Sequence, residues 1–157
     1  MVYIAWVMLL VMLTFAFNKY LDQQNNPNQN VYTRQNGDIA EVILKQNRYG
    51  HYVANGLINN SPVTFLLDTG ATVISIPETL AKKLHLKKGH PIRSSTANGY
   101  ITVYSTLLKS VSIGAIELNN IRASINPHMR EDEILLGMSF MKHLEMTQKG
   151  QQMILRY

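Results

Sequence analysis

The sequence predicts a mainly β single domain with two short helices, carried behind one apolar N-terminal helix. Three observations predict it. The chain starts with a long run that has no charge. From about Asp38 onward, short β-branched and apolar runs alternate with Gly, Pro and Asn punctuation. Only two stretches of that region show helical spacing of their apolar residues.

The N-terminal run, Val2 to Phe17, is apolar apart from Thr14. At the standard helical rise it spans about 24 Å, against about 30 Å for a bilayer core. Tyr20 and Leu21 extend it, and Lys19 can reach the interface along its aliphatic stem. Trp6 and Tyr3 suit a membrane boundary. A cleaved signal peptide would begin with a basic residue, which is missing, and Thr14-Phe15-Ala16 is a poor small-residue cleavage site. The expectation is a transmembrane anchor over residues 1–21. With almost no N-terminal tail, such an anchor sends the rest of the chain outward, although Lys19 on the far side pulls the other way.

Residues 22–37 are rich in Asn and Gln and include Pro27. They carry too few large apolar side chains to offset the entropy of ordering, so they read as a flexible tether. Only Val31-Tyr32 suits an ordered edge. The folded domain is then 38–157.

Within it, Ile39–Leu44, Tyr49–Ile58 and Val63–Leu67 read as strands, with Asn59-Asn60-Ser61-Pro62 as a turn. Val73–Ile76 is a short strand, and Pro77 starts a helix over Glu78–Leu84. Ile92–Ser95 and Ile101–Leu108 flank Ala97-Asn98-Gly99, and Asn-Gly is a strong hairpin signal because both residues tolerate positive φ. Val111–Ile113 and Ile116–Leu118 bracket a tight turn at Gly114-Ala115. Ile121–Ile125 and Ile134–Leu136 follow as strands. Met138–Glu145 reads as the second helix and Met153–Leu155 as a closing strand.

Composition removes several functions. There is no cysteine, which excludes disulfides, thiol catalysis and thiolate metal sites. The net charge of +5 comes from scattered residues without a nucleic-acid motif. Lys82, Lys83, Lys87 and Lys88 read as a solvated helix face and the loop after it, and Arg130-Glu131-Asp132-Glu133 as a solvated loop. The histidines lack ligand spacing and no His-Glu-x-x-His occurs, so no metal site is expected. Gly137-Met-Ser139-Phe-Met141 begins like a nucleophile elbow, but Met141 stands where the last Gly is needed.

One tripeptide carries chemistry. Asp68-Thr69-Gly70 follows the apolar run Val63–Leu67. Hydrolysis of a peptide bond by water needs a base for the water and an acid for the products. Two adjacent carboxylates do both, since like charges a few ångströms apart share one proton. Gly70 suits a tight loop where backbone comes close, and the Thr69 hydroxyl can hold such a loop by hydrogen bonds. No second Asp-Thr-Gly or Asp-Ser-Gly occurs in the chain, so a pair requires two copies about a two-fold axis. The plain alternative for Asp68 is an Asx-type turn ending a strand.

Three motifs in order resemble one family. Phe65-Leu-Leu-Asp-Thr-Gly-Ala-Thr72 is similar to the catalytic loop of the retropepsin-like aspartic proteases. Arg93-Ser-Ser-Thr-Ala-Asn-Gly-Tyr100 resembles their flap hairpin, and Ile134-Leu-Leu-Gly-Met-Ser-Phe140 their second signature. The likeness is greatest to the membrane-anchored bacterial branch and covers roughly Asp38 to Tyr157. It departs from many viral members at Thr72 and in the Met-Ser-Phe that opens the second helix. The resemblance implies a closed β barrel and a homodimeric aspartic endopeptidase without metal or cofactor. Asp68 is then catalytic, and Thr69 makes contacts between subunits. Gly70 and Ala71 line the floor, Asn98, Gly99 and Tyr100 form the flap tip, and Leu135, Leu136 and Gly137 are structural. The expected partners are a second copy, a peptide substrate and a membrane, with the domain on the periplasmic side of a bacterial inner membrane. The alternative is an inactive dimeric module of the same fold that binds peptide without turnover.

Overall fold

The computed structural model describes residues 2–37, 39–96, 99–130 and 132–157. Helix α1 (Val2–Asn25) is apolar on every face for most of its length, and its side chains from Tyr3 to Tyr20 are exposed. Tyr3–Asn25 is long and apolar enough to cross a bilayer, a test that a signal segment also passes.

The stretch after residue 21 differs from the expected flexible tether. Helix α1 runs on to Asn25, where the Asn47 amide donates to Asn25 O at 3.1 Å and Arg48 N–H to Gln24 O at 3.4 Å. These bonds take up carbonyls that a helix end otherwise leaves open. Asn28 is buried, with three hydrogen bonds to Lys45 and Val53. Strand β1 (Tyr32–Asn36) then pairs antiparallel with β2 (Ile39–Lys45). The composition rule counts apolar burial, whereas this segment is held by backbone and amide hydrogen bonds.

Two sheets build the domain. The smaller has the order β1-β2-β11-β10, with β10 (Glu145–Lys149) and β11 (Gln152–Arg156) forming a C-terminal hairpin. Strand β2 alternates exposed or half-buried with buried positions, placing Ala40, Val42 and Leu44 in the core. Across its other face Arg156 reaches Glu41 at 2.8 Å, directly opposite in register, with Glu145 on the far side at 3.9 Å.

The larger sheet has the order β3-β4-β9-β5-β8-β7-β6. Its strands are β3 (Val53–Ile58), β4 (Ser61–Leu67), β5 (Ile74–Pro77), β6 (Pro91–Thr96), β7 (Gly99–Ile113), β8 (Ile116–Asn126) and β9 (Ile134–Leu136). Strands β3 and β7 also pair, but only at Leu57↔Ser112 and Ile58↔Val111. The barrel expected as closed is therefore joined over a short stretch and left open elsewhere. Asn59 and Asn60 link β3 to β4 with φ of 49° and 66°, the conformation that a two-residue hairpin demands. Helix α2 (Glu78–Lys83) follows β5, and α3 (Met138–Met141) follows β9.

The expected strands at 101–108 and 111–113 are one strand, β7, because Lys109 and Ser110 contain no breaker. The pair at 116–118 and 121–125 likewise merges into β8, where Asn120 takes φ 56° without shifting the register. Strand β3 starts at Val53, not Tyr49, since the Asn47 side chain accepts from Tyr49 N–H and His51 N–H and folds that stretch into a turn. Helix α3 stops at Met141, and pairing with β11 draws Glu145 into β10. Phe65, Phe140, Ile74, Ile76, Ile125, Ile134 and Leu136 have no exposed surface and form the centre of the core. Side chains of this size contribute about 1.5–3 kcal/mol each on full burial.

Candidate active site

Asp68 is the first residue after β4. Strand β4 runs parallel to β9, pairing Leu67 with Leu136, and Asp68 N–H continues the ladder by donating to Leu136 O at 3.1 Å. The loop then turns back on itself. Ala71 N–H donates to Asp68 O at 3.2 Å, and Gly70 N–H donates to Asp68 Oδ1 at 2.8 Å. One carboxylate oxygen is thus fixed, while Oδ2 has no partner among the described residues. Asp68 itself is half-buried.

The second motif braces this loop from behind. Met138 N–H donates to Ala71 O at 2.8 Å. Ser139 Oγ accepts from Ile74 N–H at 3.1 Å, at the start of β5. Gly137 sits where the loop and α3 touch: a Cβ there would come within 2.6 Å of Ala71 O and run into Val73 O. At Gly70 the limit is different from the one anticipated. A Cβ there would press on the Asp68 carboxylate, at 3.1 Å, and not on neighbouring backbone. Leu136 is core, Leu135 half-buried at the site, and Ser139, buried, serves as a backbone acceptor and not as a nucleophile.

Asp68 opens onto a cavity of about 400 Å³ between this loop, the face of β5, β8 and β9, and the β6–β7 hairpin. Gly70, Ala71, Thr72 and Val73 contribute from the loop, and Ser94, Ser95, Thr96, Ile101 and Val103 from the hairpin. Asp68 is the one ionisable group among the described lining residues. A carboxylate beside an uncharged, half-apolar cleft under a hairpin suits an extended peptide whose backbone pairs as a strand would.

Not all predicted positions meet here. Thr69 is exposed, and its hydroxyl has no partner among the described residues, so it does not hold the loop within one chain. Asn98 lies outside the described residues. Gly99 is the first residue of β7, paired with Thr96, at φ 107°. Tyr100 is exposed and stacks under the Arg93 guanidinium, 4.0 Å from the ring centre. Neither Gly99 nor Tyr100 lines the cavity. Sequence reasoning missed Ser75, Ser124 and Asn126, which do line it. Their signal is positional: Ser124 and Asn126 are two apart on β8 and share a face with Ser75 on its neighbour.

A larger cavity of about 960 Å³ lies elsewhere, lined in part by Lys87, Lys88, Lys109 and Arg122. Lys88 pairs with Glu78 and stacks on Tyr104, 4.4 Å from the ring centre. The Lys88 ammonium, with Lys82 beside it, holds the Glu78 carboxyl below its ordinary value. The described residues contain no cluster of three or more His, Cys, Asp or Glu able to hold a metal.

Comparison with known proteins gives the family of the chain. A family model described as gag-polyprotein putative aspartyl protease matches residues 54–143, from β3 through α3. An uncharacterized protein from the cobV 5′ region of Sinorhizobium sp is 33% identical over 111 residues, 69% of this chain and 48% of that protein. An uncharacterized Rickettsia prowazekii protein is 33% identical over 111 residues, 69% of this chain and 47% of that protein. The matches thus span about half the length of those two curated relatives. The crystal structure of a retropepsin-like aspartic protease from Rickettsia conorii matches with a TM-score of 0.62 and 30% identity, over 81% of this chain and 94% of that one. The matched region holds Asp68, the whole cavity and the Gly137 brace, and the chain belongs to the retropepsin-like aspartic protease family.

Proposed function

We propose that the protein is an aspartic endopeptidase that acts as a homodimer, with Asp68 of each copy forming the catalytic pair. The observation that carries this reading is the loop itself. Asp68 is held by its own Gly70 N–H and by β9 at the mouth of a peptide-sized cavity, with no second carboxylate among the described lining residues. A second copy across a two-fold axis would supply the missing group. The unpartnered Thr69 hydroxyl beside it fits a bond to that copy. The pair would share one proton, so that one aspartate takes a proton from the attacking water while the other gives one to the scissile carbonyl oxygen. Helix α1 would anchor the dimer as a single-pass span in a bacterial inner membrane, with the domain in the periplasm.

The test uses the full chain in detergent micelles and a library of extended peptides. Asp68→Asn should lower cleavage by about 10³-fold or more, since general acid and base are both lost. Sedimentation should show the same dimer and chemical denaturation the same transition. Full activity in Asp68→Asn, or a native chain that binds peptide without turnover, refutes the assignment.

A further inference from the structure

We infer that the cavity beside Asp68 is a subsite for a carboxamide side chain, glutamine or asparagine, and that Asn126 is the residue that reads it. The inference rests on the peptidase reading for the ligand being a peptide; the side-chain choice comes from the cavity alone.

Strands β5 and β8 run parallel with Ser75 opposite Ser124 and Pro77 opposite Asn126. Ser75, Ser124 and Asn126 therefore project from one sheet face, and all three line the cavity. Asn126 is 9% exposed. Its Oδ1 accepts from His128 N–H at 2.9 Å. A backbone N–H requires an oxygen there, which assigns the amide: the other end is Nδ2, a donor with no partner among the described residues. Asn126 lines the cavity, so this donor is open to a bound acceptor there.

The two hydroxyls have the opposite balance. Ser124 Oγ donates to Ile74 O at 3.4 Å, and Ser75 Oγ donates weakly to Met129 Sδ at 3.3 Å. While it makes these contacts, each hydroxyl keeps oxygen lone pairs that can accept. One free donor and two hydroxyl acceptors thus sit together, among the apolar side chains of Val73, Ile101, Val103 and Leu135. A carboxamide matches this set, with a carbonyl for Asn126 Nδ2, an amino group for the serines and methylenes for the walls. A carboxylate would meet Asp68, the one ionisable group among the described lining residues, and repel it. An aliphatic side chain leaves Asn126 Nδ2 without a partner, and sites built to hydrogen-bond reject such analogues.

The test measures binding and cleavage separately. Full-length Asp68→Asn protein in micelles is titrated with capped peptides that differ at one position: Gln, Asn, Glu, Lys or Leu. The Gln or Asn peptide should bind about tenfold more tightly than the others. Asn126→Asp keeps the acceptor for His128 N–H and removes the donor, so it should level the series. Should Asn126→Asp not fold, Ser75→Ala should narrow the preference instead. Equal binding across the series, tighter binding of Glu, Lys or Leu, or no binding of any peptide overturns the subsite. Carboxamide-selective binding with no cleavage by the native chain leaves the subsite standing and removes the peptidase reading.

Discussion

Asn28 offers the sharpest test of how the domain is joined to its helix. Its side chain donates to Lys45 O at 2.9 Å and to Val53 O at 2.7 Å, and accepts from Lys45 N–H at 2.7 Å. It is 3% exposed, so water cannot easily replace these partners. Asn28→Ala removes all of them together. A typical intramolecular hydrogen bond is worth about 0.5–1.5 kcal/mol net, and a buried group left unpaired costs about 1–3 kcal/mol. The Val53 carbonyl falls in the second class, whereas Lys45 is exposed enough for water to recover part of its loss. The sum is about 3 kcal/mol. For a chain of this size that lowers the melting temperature by about 10 °C. Urea denaturation of the full chain in micelles would read the change as a lower midpoint with an unchanged slope. Asn28→Asp should cost at least as much, because it sets a buried carboxylate oxygen against the Lys45 and Val53 carbonyls. A loss under about 0.5 kcal/mol in Asn28→Ala would refute the reasoning and restore the flexible tether that composition suggests.

Other outcomes follow from the same geometry. Gly137→Ala forces a methyl into Ala71 O and Val73 O; overpacking of this kind should cost about 1–3 kcal/mol and lower cleavage, measured by denaturation and peptide turnover side by side. Ser139→Ala leaves Ile74 N–H buried and unpaired; it should cost about 1–3 kcal/mol while keeping cleavage at temperatures where the fold persists, and loss of turnover in fully folded protein would reopen a nucleophilic role. Glu78, held low by Lys88 and Lys82, contributes stability above its unfolded value of 4.5 that is lost as pH falls through its lower folded value. Glu78→Gln should therefore flatten the acid side of a stability–pH curve, and an unchanged curve would show the contact is too exposed to matter.

What was legible in the sequence was what local chemistry dictates. The double-Asn turn at 59 and 60 announces left-handed backbone, Asp68-Thr69-Gly70 a loop closing an apolar strand, and Gly137 before a helix a place with no room for a side chain. What escaped was set by partners far along the chain. Strand β1 looks polar and unremarkable until β2 takes up its hydrogen bonds. The helical spacing of Leu144 from Phe140 and Met141 carries the expected second helix on to Glu145, yet Glu145 pairs with Arg156 and opens β10. Asn126 carries no motif at all. It matters because parallel register sets it near Ser75, more than fifty residues earlier, and register between distant strands is not written in either one.

The bonds that fix the Asp68 loop run to β9 and α3 or stay within the loop. Asp68 N–H, Ala71 O and Ile74 N–H are taken by Leu136, Met138 and Ser139, and Gly70 N–H by Asp68 itself. The Thr69 hydroxyl and Asp68 Oδ2 have no partner among the described residues. The second motif therefore holds the loop in shape within one chain. Preorganisation of this kind matters because a group aimed in advance costs nothing to align during the reaction. Under the dimer proposal, association then has a narrower task than folding the site. It brings up the second carboxylate, and Asp68 Oδ2 and the Thr69 hydroxyl are the groups left to meet the partner.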